Sequence, residues 1–275
     1  MLTLPGTDLV VHELCLGGNV FGWGADEVGS IQVLNAYRSH GGNFIDTADL
    51  YSEWKPGNQG GESERIIGKW LKSQNRNGIV IATKVGLYSK YPGLRAENIV
   101  AACNESLKRL DIDYIDIYYS HRDETETPMA ETLGAYAELV AAGKVRYIGL
   151  SETTVEETAK CHAIHPVTSV QSEFSIWTDE HVKNGVIKYC ADNNIGFLPF
   201  SPLGRGFLTG TVTADTIADG DFRSANPRFT AQAIADNQKI VDGIAAIANR
   251  HKATPAQIAL AWILAQGPNM VPIPG

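Results

Sequence analysis

With 275 residues, 44% hydrophobic and 20% charged side chains, the chain has the composition of an ordinary globular protein and none of the bias of a disordered or fibrous one. Its 31 acidic residues outnumber 23 basic ones for a net charge of -8, which argues against broad attraction to nucleic acid or an anionic membrane surface and leaves a local basic pocket as the only such option. The four cysteines, Cys15, Cys103, Cys161 and Cys190, form no C-x-x-C pair and no zinc-spaced cluster, so they read as reduced thiols rather than a disulfide framework.

In chain order, the opening LTLPGTDLVV predicts a small hairpin turning at Pro5-Gly6. It lacks the basic segment and long apolar run of a signal peptide, and no later stretch reaches the roughly 20 apolar residues of a membrane helix. A soluble, cytoplasmic protein is expected. Short β-branched, apolar runs then alternate with helical stretches. The runs span 13–17, 43–47, 79–84, 114–119, 146–150, 168–171, 196–200 and 270–273. Several, such as IVIATKV and YIDIYY, are apolar nearly throughout, as strands buried on both faces of a parallel sheet must be.

Between the runs, 28–40 places Ile31, Leu34 and Tyr37 on one helix face and stops at Gly41-Gly42. Ile66, Ile67 and Trp70 share a side of 62–71. Helices are expected over 95–110 and 129–142, the second opened by Thr127-Pro128 and closed by Gly143. Thr153-Thr154 ahead of Glu156-Glu157 marks another helix start, and helices over 231–250 and 255–265 precede the last run. Eight runs alternating with helices predict a closed (β/α)8 barrel rather than an open doubly wound sheet. CLGGNVFGWG has glycines without the G-x-G-x-x-G spacing of an open dinucleotide-binding sheet. No repeat or linker marks a boundary, so residues 1–275 read as a single domain. Residues 203–227 form the longest irregular stretch, a length usually tied to function.

Four residues then stand out by position. Lys84 ends a run that should be buried, and lysine is almost never buried without a partner. Asp46 lies in a run although aspartate is disfavoured in strands. Tyr51 follows just beyond it, and His121 closes IDIYYSH. Singly, each has an ordinary explanation: a solvated strand end, a turn, a packing aromatic, a wall histidine. Together they mark the carboxyl ends of the second, third and fourth strands, the face on which barrels of this kind build active sites. A tyrosine hydroxyl is too weak an acid to protonate a carbonyl oxygen readily near neutral pH. A neighbouring ammonium lowers its pKa, a carboxylate holds the ammonium, and a histidine can orient a carbonyl. A metal-dependent barrel is disfavoured, since only Asp46 and His121 qualify as ligands on strand ends.

The segments FIDTADLY, IATKVG, DYIDIYYSH, YIGLSE, VQSEF, FSPLGRGFLTG and VPIPG resemble, in order and spacing, the aldo-keto reductase family, in particular its bacterial and channel-β-subunit-like branches. The resemblance covers 13–275 and implies an NADPH-dependent carbonyl reductase, an alcohol dehydrogenase in reverse, with Asp46, Tyr51, Lys84 and His121 as its tetrad. It further implies that Ser151, Glu152 and Gln171 meet the nicotinamide carboxamide. Glu152 stands where many relatives have asparagine and can accept but not donate. By the same similarity Phe200 stacks on the nicotinamide, while Ser201, Leu203, Gly204 and Arg205 wrap the pyrophosphate. Trp23 and Trp54 flank the expected substrate pocket. The family also implies a basic segment for the 2′-phosphate and an eighth helix after residue 275, so the natural protein is expected to continue. Preference for NADP over NAD comes from the resemblance alone. A second reading is an NADP-binding, redox-sensing subunit of the channel-β-subunit type. The loops at 21–26, 53–61, 122–128 and 208–227 are expected to set the small-molecule carbonyl substrate.

Overall fold

The computed structural model describes residues 1–122, 126–217 and 220–275. Leu2–Thr3 (β1) and Val10–Val11 (β2) pair antiparallel, with Leu4 N–H donating to Leu9 O at 2.8 Å and Gly6 turning the chain at φ +70°. This hairpin is apolar on one side: Leu4, Leu9 and Val11 are buried against Phe44, Val80, Ala82, Ile117 and Leu198.

Seven strands follow in one sheet, each parallel to and beside the next: Leu16–Gly17 (β3), Phe44–Asp46 (β4), Val80–Val85 (β5), Ile115–Ser120 (β6), Val145–Ser151 (β7), Val167–Glu173 (β8) and Gly196–Phe200 (β9). An eighth stave closes the sheet into a barrel. On one edge Val271 and Ile273 donate to Phe197 O and Pro199 O at 3.0 and 2.8 Å; on the other, Cys15 and Gly17 donate to Pro272 O and Pro274 O at 2.9 and 2.8 Å. The expected strand over 270–273 is therefore in place, but as isolated bridges to β9. Pro272 and Pro274 accept from the β3 side and have no N–H to return, so half of that ladder is missing.

The helices are Glu27–Ser39 (α1), Glu62–Leu71 (α2), Ala96–Leu110 (α3), Met129–Ala141 (α4), Val155–Ile164 (α5), Glu180–Lys183 (α6), Val186–Asp192 (α7), Ala231–His251 (α8) and Pro255–Leu264 (α9). Local chemistry starts several of them. Asp26 accepts from Gly29 N–H at the head of α1, and Thr154 with Glu157 and Thr254 with Gln257 form reciprocal capping boxes. Two helices that the sequence does not signal, α6 and α7, lie between the strands Val167–Glu173 and Gly196–Phe200. One is a single turn with no buried residue, and the other buries only Val186 and Cys190, too few for a periodic stripe.

Inside the barrel Tyr119 is fully buried and shares a hydrogen bond with Ser169. Gly149 on the neighbouring strand makes room for it, because a Cβ there would run into the Tyr119 ring. All four cysteines are buried and unbridged. Among the described residues no helix is long and apolar enough to cross a membrane.

Candidate active site

The parallel register gathers the polar strand ends on one face. Asp46 is paired with Ala82 across β4 and β5, and Lys84 with Tyr119 across β5 and β6. The Lys84 side chain is 2% exposed. Its ammonium donates to Asp46 Oδ2 at 2.6 Å, Thr47 O at 2.8 Å and the Tyr51 hydroxyl at 2.9 Å. An ammonium has three donors and no lone pair, so these bonds fill it. The Tyr51 oxygen must accept in this contact, which leaves its own proton free to be donated elsewhere. The second Asp46 oxygen, Oδ1, accepts from Gln171 Nε2 at 2.7 Å.

Backbone holds these side chains in place. Tyr51 N–H donates to Ala48 O at 3.2 Å, and Ser52, at φ 75°, anchors the same turn through its hydroxyl to Phe21 O at 2.6 Å. His121 N–H donates to Val85 O at 2.8 Å, and its ring stands edge-on to Tyr51 with centroids 5.7 Å apart. His121 Nδ1 is buried with no hydrogen-bond partner among the described residues.

Burial opposes charge on Lys84, but Asp46 and then Tyr51 outweigh it and hold the ammonium above its ordinary pKa. For Tyr51 burial is the larger influence and raises the hydroxyl above its ordinary value, although Lys84 pulls the other way. Lys84 lowers this pKa, as its charge requires, but desolvation is stronger, and the phenol is kept protonated. Burial first, then Lys84 and Arg122, push the His121 imidazole well below its usual range, so the ring is neutral at physiological pH.

A second buried polar group, which no sequence pattern signals, lies behind this one. Glu64 accepts from Thr83 Oγ1 and from Arg109 Nε, both at 2.6 Å. Asp49, fully buried, has no hydrogen-bond partner for either carboxyl oxygen among the described residues. Burial first, then Glu64, raises its pKa well above the usual carboxylate range.

In front of the four side chains lies a cleft of about 580 Å³. Asp46, Tyr51, Lys84 and His121 line it together with Ser151, Gln171, Phe200, Ser201, Leu203 and Arg205. Gly204 lies behind this wall; it turns the loop at φ 57°, and a Cβ there would stand 3.0 Å from the Trp177 ring. Glu152 also stands back from the wall, its Oε1 accepting from Glu173 N–H at 2.9 Å. The Arg205 guanidinium is engaged by Glu173 through two bonds of 3.0 Å. Trp23 and Trp54 rim the mouth rather than the wall. Tyr51, Trp54, Trp23 and Phe222 run edge to face with centroid distances of 6.2, 5.7 and 5.7 Å. Of the four loops expected to set the substrate, residues 123–125 and 218–219 lie outside the described residues. Asn19, Thr209, Thr211 and Arg223 also line the cleft and went unnoticed in the sequence, since nothing local distinguishes them from ordinary loop residues.

The family model for aldo/keto reductases matches residues 13–275. The chain belongs to that family. It is 42% identical over 254 residues to a probable aldo-keto reductase 1 of Glycine max, a match covering 90% of this chain and 71% of the relative. It is 39% identical over 272 residues to the aldo-keto reductase yakc [NADP(+)] of Schizosaccharomyces pombe, covering 95% and 78%. The crystal structure of a thermostable aldo-keto reductase in complex with the inhibitor epalrestat superposes with a TM-score of 0.78 at 28% identity, covering 100% of this chain and 89% of that one. A glycerol dehydrogenase from Gluconobacter oxydans superposes with a TM-score of 0.86 at 26% identity, covering 98% and 84%. As an aldo-keto reductase with the family's barrel, the protein is an oxidoreductase acting on carbonyl compounds.

Proposed function

We propose that the protein reduces an aldehyde or ketone to an alcohol with NADPH, and that Tyr51 is the proton donor. The observation that carries this reading is the filled Lys84 ammonium, which makes Tyr51 an acceptor toward Lys84 and leaves the phenolic proton for the cleft. A neutral His121 can donate from one ring nitrogen to a carbonyl oxygen and orient it beside Tyr51.

The residues along the cleft suit a dinucleotide: Ser201, Thr209, Thr211, Arg205 and Arg223 line it, as do Ser151, Gln171 and Phe200. NADP is favoured because the yakc relative carries NADP(+) in its name. When bound, the dinucleotide supplies the hydride. The chain does the rest. Phe200 offers an aromatic face, Gln171 lines the cleft while its amide donates to Asp46, and Tyr51 gives up its proton at Oη. Lys84, held by Asp46, then stabilises the phenolate until a solvent proton replaces the one given.

The test is loss of NADPH absorbance on addition of an activated aromatic aldehyde, compared with NADH. Turnover with NADPH supports the reading. Tight NADPH binding with no turnover across a panel of aldehydes and ketones would favour the redox-sensing alternative.

A further inference from the structure

Among the described residues the cations of the cleft are unequally committed. Lys84, Arg122, Arg205 and Arg223 line it, against the single carboxylate side chain of Asp46 among the described residues. Lys84 has all three donors filled. Arg205 grips both oxygens of Glu173, and Arg223 reaches Asp221 at 2.6 Å. Arg122 differs. Its guanidinium stands 3.4 Å from Glu152, and the side chain is 55% exposed. That is longer than the roughly 2.7–2.9 Å of a good charge-assisted bond, and an exposed pair of this kind is worth little. Glu152 is divided as well, its other oxygen accepting from Glu173 N–H.

Arg122 also stands beside the reacting centre. It directly follows His121, whose ring is 5.7 Å from that of Tyr51, and the aromatic edges of Trp54, Trp23 and Phe222 continue from Tyr51 around the mouth. A carbonyl held between Tyr51 and His121 would place an apolar body against those rings and any acidic group within reach of a five-donor planar fork.

We propose that Arg122 is a specificity-determining residue that selects carbonyl substrates bearing a carboxylate on an apolar or aromatic body. The inference rests on the carbonyl-reduction reading above. A phosphate of the dinucleotide shares the same anionic chemistry, and the experiment separates the two sources.

The substrates are 4-carboxybenzaldehyde and its neutral ester, methyl 4-formylbenzoate, given to the wild type, Arg122→Met and Arg122→Lys. The wild type prefers the acid. Arg122→Met lowers kcat/KM for the acid about tenfold, mainly through KM, and leaves the ester within about twofold, as expected for loss of a hydrogen bond to a charged group. Arg122→Lys recovers part of the loss, and added salt shrinks the wild-type preference. The NADPH dissociation constant stays unchanged. Equal losses on both aldehydes overturn the proposal, as does weaker NADPH binding with the preference intact, which assigns Arg122 to the cofactor. If the wild type reduces neither aldehyde, binding decides the role of Arg122, and the reductase reading is decided separately by the panel of aldehydes and ketones. Quenching of tryptophan fluorescence by 4-carboxybenzaldehyde that is weaker in Arg122→Met then supports it, and equal quenching overturns it.

Discussion

The Lys84 ammonium donates to the Tyr51 hydroxyl at 2.9 Å while holding Asp46 at 2.6 Å, so one buried cation fixes both the hydroxyl proposed as proton donor and the carboxylate that keeps the cation charged. Lys84→Met removes that cation and leaves the buried Asp46 with Gln171 as its remaining side-chain partner among the described residues. Taking one member from a buried pair costs about 3–5 kcal/mol. Urea unfolding should show a loss of that size, and turnover should vanish with it. Combining the change with Asp46→Asn should restore most of the stability and none of the turnover. A single Lys84→Met variant as stable as the wild type would contradict the pairing.

Asp49 makes stability depend on pH in the opposite sense to an ordinary salt-bridged carboxylate. Burial, then Glu64, raises its folded pKa, while Arg109 and Lys84 only partly oppose them. A carboxyl with a raised folded pKa contributes stability that is full below the ordinary carboxylate range and is lost as pH rises through the folded value. Asn mimics the neutral acid in shape, so Asp49→Asn should match the wild type in acid and become increasingly the more stable of the two as pH rises. Thermal melts of both proteins across this range measure it. A difference in Tm that is constant with pH would show that Asp49 is ionised throughout or plays no such part.

The pH dependence of reduction follows from the two shifts at the site. His121 is held neutral because its pKa is depressed by burial, Lys84 and Arg122, and Tyr51 is held protonated because burial raises its own. Both groups therefore keep their working form between about pH 6.5 and pH 9, within the ordinary values of histidine and tyrosine. The profile of kcat/KM should be flat there and fall only on the alkaline side. An inflection near pH ~6.5 that disappears in His121→Gln would show a titrating imidazole instead.

Arg109 and Glu64 link α3 to α2 behind the site, with the Glu64 carboxylate fully buried. Arg109→Met should destabilise the protein by about 3–5 kcal/mol by stranding that carboxylate. The surviving folded enzyme should keep its kcat, because neither residue lines the cleft. A large fall in kcat at unchanged stability would place the pair in the chemistry.

What the sequence revealed and what it hid follow from range. The barrel was legible because a buried parallel strand is apolar along its length, and Asp46 and Lys84 stood out by interrupting such runs. His121 and Tyr51 were legible from their places just past strand ends. The short helix Glu180–Lys183 was not, because a single exposed turn leaves no periodicity. Neither was the Glu64–Arg109 pair, which joins residues 45 apart on separate helices. Asp49 sits in the same DTAD segment as Asp46, yet only three-dimensional packing shows that one is bonded and the other is not. Trp23 and Trp54 are drawn to Tyr51 by their own loops, and the contact of Trp23 with Phe222, far along the chain, was not legible.

The account turns on the Tyr51 proton, and Tyr51→Phe removes it while keeping the ring that meets His121 and Trp54. Single-turnover reduction of an activated aromatic aldehyde by bound NADPH, with the NADPH dissociation constant measured alongside, isolates the step. A fall of about a hundredfold or more in the reduction rate at unchanged NADPH affinity is the predicted result, the size expected for loss of a general acid. Equal rates in the two proteins would contradict the assignment of Tyr51 as the proton donor.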